Sequence, residues 1–290
     1  MRLARCIAAR VLAAAVALSG GSAARAGILV SEDFNYGGTS GSLNGQNGGT
    51  GFSGGWSGGN YSSTGLTFST LISSGGSYFA SATSGRAFTA ALGTSFYGSF
   101  LFQYTTQLAT VQMVGFGTGL TANNQAANEL RLQPSSDAGG GDKRPTVAGP
   151  NVGETSLGTG TLANNTPYLY LFHYSSASVT SWVLTSSQYD NFVAGGLQES
   201  ALNAATIGSG STNVTGRATS NGSGTPNLAN LNMYTFGGGN MLIDRLYISN
   251  TSLNETLAAV PEPSSLALAG IVAALGGASA WRRRSRPAAH

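Results

Sequence analysis

Tyr168-Leu169-Tyr170-Leu171-Phe172-His173-Tyr174 is the stretch on which the fold of this chain turns. Side chains of a strand alternate between two faces, so Tyr168, Tyr170, Phe172 and Tyr174 share one face and Leu169, Leu171 and His173 the other. Neither face is polar, which predicts a central strand covered on both sides. A Ser-rich turn follows. Val179-Thr180-Ser181-Trp182-Val183-Leu184-Thr185 then reads as the returning strand of a hairpin.

The same alternation runs outward. Phe96 to Thr106 sets Phe96, Phe100, Phe102 and Tyr104 on one face, and Val111 to Phe116 and Glu129 to Gln133 continue the pattern. Ile28 to Phe34, Leu66 to Ile72, Leu231 to Phe236 and Met241 to Ser249 read as further strands, and Tyr78 to Ala82 with Ala87 to Leu92 as a hairpin around Ser84-Gly85. Loops are expected at Asn35 to Asn60, with the turn dipeptides Asn44-Gly45 and Asn47-Gly48, at Asp137 to Pro150 and at Gly208 to Asn227. Tyr189 to Ala205 is irregular, with a short helical turn near Leu197 to Ala204.

About ten to twelve short strands with little helical periodicity predict an all-β, antiparallel sandwich or barrel. Three segments, Leu29 to Phe34, the hairpin from Tyr168 to Thr185, and Met241 to Ser249, resemble the concanavalin A-like and laminin-G-like sandwiches. That resemblance implies a jelly roll over residues 27–249, with first and last strands close together. Gly, Ser, Thr and Asn are abundant enough for low-complexity disorder, but regularly placed aliphatic and aromatic strands argue against it.

Both ends stand apart. Residues 1–26 carry Arg2, Arg5 and Arg10, an apolar Val11 to Leu18, and Ala24-Arg25-Ala26 before Gly27. This is a secretory signal with a small-x-small cleavage site, so Ala24, Ala26 and Gly27 are the expected cleavage residues; a retained N-terminal anchor is the alternative. Residues 250–259 read as a linker. Val260-Pro261-Glu262-Pro263-Ser264-Ser265 follows, then an uncharged run to Ala280, Trp281, and Arg282-Arg283-Arg284-Ser285-Arg286. The prolines keep Glu262 out of regular helix or central strand. As a helix, Leu266 to Ala280 reaches about 22 Å; Ser265 and Trp281 extend the span to 265–281, and the arginines favour a cytoplasmic C-terminus.

Residues 260–290 closely resemble the PEP-CTERM sorting signal of exported bacterial proteins. Val260, Pro261, Glu262, Pro263 and Ser264 match its motif, and Arg282, Arg283 and Arg284 its basic end. The resemblance implies recognition by an exosortase-like membrane protease, transient anchoring in the inner membrane, cleavage, and release to the cell surface or extracellular matrix. An ordinary single-pass anchor is the alternative. Export itself calls for the Sec machinery and a signal peptidase.

The formal charge of +3 belongs to these ends. The body between Gly27 and Ala259 holds six basic residues, Arg86, Arg131, Lys143, Arg144, Arg217 and Arg245, against ten acidic ones. No basic patch remains to bind nucleic acid. Cys6 lies in the signal, which excludes disulfides from the body and, with His173 its one histidine, a His/Cys metal site.

Catalysis finds little support. His173 sits in a strand beside Leu169 and Leu171, and no G-x-S-x-G elbow occurs. Glycosidase chemistry needs two carboxylates about 5 to 9.5 Å apart, and the nearest acidic pair in sequence is Glu32-Asp33. Trp56 and Trp182 are candidates for stacking on sugar rings. Asp137 and Asp142 could offer oxygens to calcium, but Lys143 and Arg144 beside them favour a solvated loop. The reading is a secreted, non-enzymatic surface or matrix protein without cofactor. A carbohydrate-binding module for exopolysaccharide is the alternative, and a glycan-cleaving enzyme the third.

Overall fold

In a computed structural model the structure describes residues 27–37, 39–71, 73, 76–79, 84–106, 112–117, 130–137, 143–148, 155–156, 162–176, 178–222, 227–235 and 240–257. Among them run strands β1 (Ile28–Glu32), β2 (Gly41–Ser42), β3 (Asn60–Ser62), β4 (Ser77–Phe79), β5 (Ser84–Leu92), β6 (Ser95–Thr106), β7 (Gln112–Gly117) and β8 (Leu130–Asp137). Next come β9 (Lys143–Ala148), β10 (Thr155–Ser156), β11 (Pro167–Ser175) and β12 (Ser178–Leu184). Helices α1 (Ser186–Ala194) and α2 (Glu199–Ala204) precede β13 (Gly216–Asn221), β14 (Leu228–Thr235), β15 (Asn240–Ser249) and helix α3 (Leu253–Leu257).

The strands form two antiparallel sheets, the jelly-roll-like sandwich expected. One has nine strands in the order β13-β12-β11-β6-β15-β4-β3-β2, with β1 also on β15; the other has six, β10-β9-β8-β7-β14-β5. The hairpin read from Tyr168 to Thr185 is β11 and β12, with Leu171 opposite Trp182. The other neighbour of β11 is β6, in a register that places Phe96, Phe100 and Phe102 opposite Tyr174, Tyr170 and Tyr168. These pairs stack across the strands, Phe100 on Tyr170 at 4.8 Å between centroids and 8° between planes, and Phe102 on Tyr168 at 5.6 Å. Such cross-strand pairs are what pins a register.

Gly98 faces Phe172 in this ladder. A Cβ on Gly98 would run into the Phe172 ring, whose Cε2 would lie 2.9 Å away. The ring fills that space and reaches Phe116 of the six-stranded sheet at 5.7 Å. Val114, Phe116, Leu130, Leu132, Leu231 and Met233 complete the core between the sheets.

Leu169, Leu171 and Trp182 face the other way, into a second core. There α1 covers the nine-stranded sheet with Tyr189 and Phe192, α2 adds Leu202 and α3 adds Leu253 and Leu257. Thr185 caps α1 in a capping box: its Oγ1 accepts from the Gln188 backbone, while Gln188 Oε1 accepts from the Thr185 N–H. Both faces of β11 are therefore buried, as its composition predicts.

Several expectations are corrected. Residues 66–71 form no strand; Ser69 is left-handed at φ 47°, and Leu66, Phe68 and Leu71 lie over the second core. The expected hairpin around Ser84-Gly85 is split between sheets, β4 pairing with β3 and β15 and β5 with β14. The Asp137–Pro150 loop contains β9, whose register with β8 shifts between Gln133 and Ser136, across Pro134 and Pro145, neither of which has an N–H to donate. The Gly208–Asn227 loop contains the polar strand β13, and the irregular 189–205 stretch holds most of α1 and all of α2. The expected 250–259 linker holds α3, with Leu253, Thr256 and Leu257 buried. The N-terminal secretory signal, expected as a helix over residues 1–26, and the membrane helix expected at 265–281 lie outside the described residues, among which no helix is long and apolar enough to cross a membrane.

Candidate functional site

The candidate site is the end of the body from which both terminal segments leave. In β15 the pairing with β6 slips between Asp244 and Tyr247, where Arg245 adopts φ 54°. This bulge lies where the strand exchanges one neighbour for another: β4 pairs with Leu242 and Ile243, β1 with Leu246 to Ser249. The β1 pairing brings Ile28 opposite Ser249, and the Asn250 N–H donates to the Gly27 carbonyl at 2.9 Å. First and last strands are thus adjacent.

Helix α3 is seated beside them. Arg245 Nη2 donates to the Leu257 carbonyl at 2.9 Å, and Ser99 Oγ donates to the Thr256 carbonyl at 3.1 Å. Glu255 Oε2 accepts from Ser249 Oγ at 2.9 Å. Asn254 Nδ2 donates to the Gly196 carbonyl at 3.1 Å. Of the sequence-predicted residues, Gly27 is at this end. Ala24, Ala26, Val260, Pro261, Glu262, Pro263, Ser264, Arg282, Arg283 and Arg284 lie outside the described residues.

The two tryptophans offered for sugar stacking are both buried, at 2% and 0% exposure, which corrects that expectation. Trp56 closes a polar cluster inside the Gly/Asn-rich loop. Glu32, facing inward from β1, accepts from Arg86 Nη1 at 2.8 Å, Tyr36 OH at 2.8 Å, Trp56 Nε1 at 3.3 Å and the Phe34 N–H at 2.9 Å. The Arg86 guanidinium also donates to the Gly54 and Gly48 carbonyls and to Asn47 Oδ1, and lies 4.2 Å from the Phe52 ring centroid. Burial pushes the Glu32 carboxyl up and the Arg86 guanidinium down, against their mutual attraction. The loop joins the sheets along this seam: Thr50 exchanges backbone hydrogen bonds with Ser31 of β1, and Ser53, Gly51 and Ser57 bond to β5. Trp182 faces the second core, its Nε1 buried without a hydrogen-bond partner.

Asp244 is fully buried at the bulge. Its Oδ2 accepts from the Leu66 N–H at 2.8 Å and from Ser73 Oγ, while Oδ1 has no partner. Burial, with a smaller repulsion from Asp33, pushes its pKa up to about 7. The Tyr247 O–H lies 2.9 Å from both carboxylate oxygens of Asp33 and donates its one proton between them. His173 lies on the outer face, stacked on Tyr97 at 4.1 Å with Nδ1 3.0 Å from Glu199. Asp137 sits in β8 at the register position opposite Lys143 of β9, and Asp142 lies outside the described residues. No group of three or more His, Cys, Asp or Glu able to hold a metal occurs among the described residues.

Sequence reasoning missed Arg86, Tyr36 and Asp244 as members of these clusters. Arg86 did carry a signal: it shares its strand face with Phe88, so periodicity places a cation where a hydrophobe belongs.

Comparison with known proteins places a PEP-CTERM protein-sorting motif at residues 259–284. No curated protein matches the chain. Among solved structures, domain 4 of the arabinanase AbnA from Geobacillus stearothermophilus is similar at 11% identity and TM-score 0.44, over 83% of this chain and 96% of that one. The Bacillus licheniformis β-glucanase is similar at 14% identity and TM-score 0.39, over 74% and 99%. A CBM2 module of the Lactobacillus casei BL23 phage J-1 evolved Dit is similar at 13% and 0.35, over 78% and 97%. The chain is therefore an exported protein carrying an exosortase-linked sorting motif, transiently anchored in the membrane.

Proposed function

We propose that the body is a non-catalytic β-sandwich of the cell surface or extracellular matrix. A signal peptidase removes residues 1–26 and an exosortase-like protease cleaves near Pro261-Glu262-Pro263. The observation that carries this reading is the sorting motif at 259–284, which begins two residues beyond the docked helix α3. The motif is thus tied to a folded domain by almost no free chain. The engagement of the acidic side chains among the described residues supports the non-catalytic part. Glu32 pairs with Arg86, Asp33 with Tyr247, Asp190 with Ser69, Glu199 with His173, Asp244 with Leu66 and Ser73, and Glu255 with Ser249.

Mass-mapping of the mature C-terminus, with membrane fractionation of the wild type and of a Pro261→Ala/Glu262→Ala/Pro263→Ala variant, tests the sorting step. Loss of the tail in the wild type and membrane retention of the variant are expected. A tail kept in both would make the segment a permanent anchor.

A second reading, a carbohydrate-binding module, is favoured by one feature. The described helices pack on the nine-stranded sheet, so the six-stranded sheet is the one they leave for other contacts. Affinity electrophoresis of the mature chain against the producer's exopolysaccharide tests it. Retardation would favour it, and unretarded migration would dismiss it.

A further inference from the structure

Gly27, the first residue after the expected signal cleavage, is held in a way that only glycine allows. Its φ is +119°, and a Cβ would collide with the Glu255 carboxylate, meeting Cδ at 2.8 Å and Oε2 closer still, and with Thr251 Oγ1 at 2.7 Å. Its carbonyl is fixed by the Asn250 N–H at 2.9 Å. A Cβ lies roughly 2.5 Å from its own nitrogen, so the Gly27 nitrogen is within about 5 Å of the Glu255 carboxylate. The nearby cation, Arg245, turns to the Leu257 carbonyl. The described hydrogen-bond partner of the Glu255 carboxylate is a hydroxyl group, not a cation: Ser249 Oγ donates to it at 2.9 Å.

We propose that removal of the N-terminal segment completes the seat of α3. The α-ammonium released on Gly27 pairs with Glu255, so that excision at one end tightens the helix leading into the sorting motif at the other. This rests on the export reading above. Hydrolysis adds water across the Ala26–Gly27 bond, leaving a carboxylate on Ala26 and turning the Gly27 amide nitrogen into a primary amine. That amine is protonated below its ordinary pKa of about 7.7 to 8.0. Before cleavage the same nitrogen is a neutral amide and cannot form the ion pair. Cleavage one residue earlier would leave Ala26 as the first residue and move the ammonium by about 3.8 Å.

The linkage has a definite sign. An ammonium that gains a carboxylate partner on folding has its folded pKa raised. Its stabilisation is complete below the unfolded value of about 7.7 to 8.0 and disappears as pH rises through the raised one.

The test uses the mature chain recovered from its producer, Glu255→Gln, and the same pair bearing an extra N-terminal Ala26. Intact mass first identifies residue one; a first residue other than Gly27 overturns the cleavage site in the export reading. With Gly27 first, NMR titration should put its α-amino pKa at least half a unit above 8.0, and Glu255→Gln should return it to the ordinary range. Glu255→Gln should also lower Tm at pH 6 and not at pH 10, and should have little effect in the Ala26-bearing chain. An ordinary α-amino pKa unmoved by Glu255→Gln, or equal Tm losses with and without Ala26, overturns the inference while leaving the export reading standing.

Discussion

Arg86 Nη1 lies 2.8 Å from Glu32 Oε2, with each side chain 1% exposed, in a chain only 9% of whose residues are charged. The pair comes from strands of different sheets, β1 and β5, and the loop carrying Asn47, Gly48, Gly54 and Trp56 closes around it. A buried ion pair gains little over a hydrophobic contact, but once present neither half tolerates losing the other. It therefore specifies how the long Gly/Asn-rich loop sits.

Arg86→Met should destabilise the protein by about 3 to 5 kcal/mol, since it leaves a buried carboxylate with only neutral donors. Adding Glu32→Gln should recover part of that loss. Urea unfolding of the two single variants and the double variant reads out the coupling.

Trp56→Ala is expected to act on folding and not on ligand contact. Truncating a buried tryptophan costs about 3 to 5 kcal/mol, and here it also removes the Nε1 donor shared by Tyr36 OH and Glu32. A Tm drop with unchanged migration in affinity electrophoresis is the expected result.

Gly98→Ala should cost about 1 to 3 kcal/mol, because the added methyl meets the Phe172 ring inside a filled aromatic ladder. Gly93→Ala, where nothing stands within 4 Å, provides the near-neutral control. Thermal melts of the two variants side by side check this.

Asp244 makes stability fall as pH rises. Its folded pKa of about 7 lies above the unfolded value of about 3.9, so the native state holds the extra proton between them. The contribution is complete below about pH 3.9 and lost as pH climbs through about 7. Asp244→Asn keeps an oxygen for the Leu66 N–H and Ser73 Oγ and cannot ionise. Its Tm should change less between pH 5 and 8 than that of the wild type.

Thr185→Ala should cost about 1 kcal/mol, the usual worth of an N-cap, by freeing the first turn of α1. Hydrogen exchange should speed up at Ser187 and Gln188 while the β11 amides keep their protection.

Much of this architecture was legible from local chemistry. Phe96 to Thr106 and Tyr168 to Leu184 alternate so regularly that strand identity, face and hairpin pairing followed directly, and the adjacency of first and last strands agreed with the resemblance. The two longest strands that escaped notice, Lys143–Ala148 and Gly216–Asn221, are polar or interrupted by proline, so hydrophobic period carries no signal there. Helix α1 escaped because its mixed SSQYDNFVA composition shows weak amphipathicity, although Thr185 and Gln188 form a readable capping box.

The candidate site divided the same way. The sorting motif is a linear pattern of prolines, an apolar run and arginines, and it needs no folding to be recognised, so sequence alone determined it, as it did the two-faced strands at the centre of the sandwich. Only tertiary structure decided that Trp56 and Trp182 face inward, that Arg86 meets Glu32, and that α3 docks just ahead of the motif beside Gly27. Burial and pairing of these groups depend on contacts between residues far apart in the chain, such as Leu66 with Asp244 and Glu32 with Arg86, and a local pattern carries no information about which distant partner closes over it.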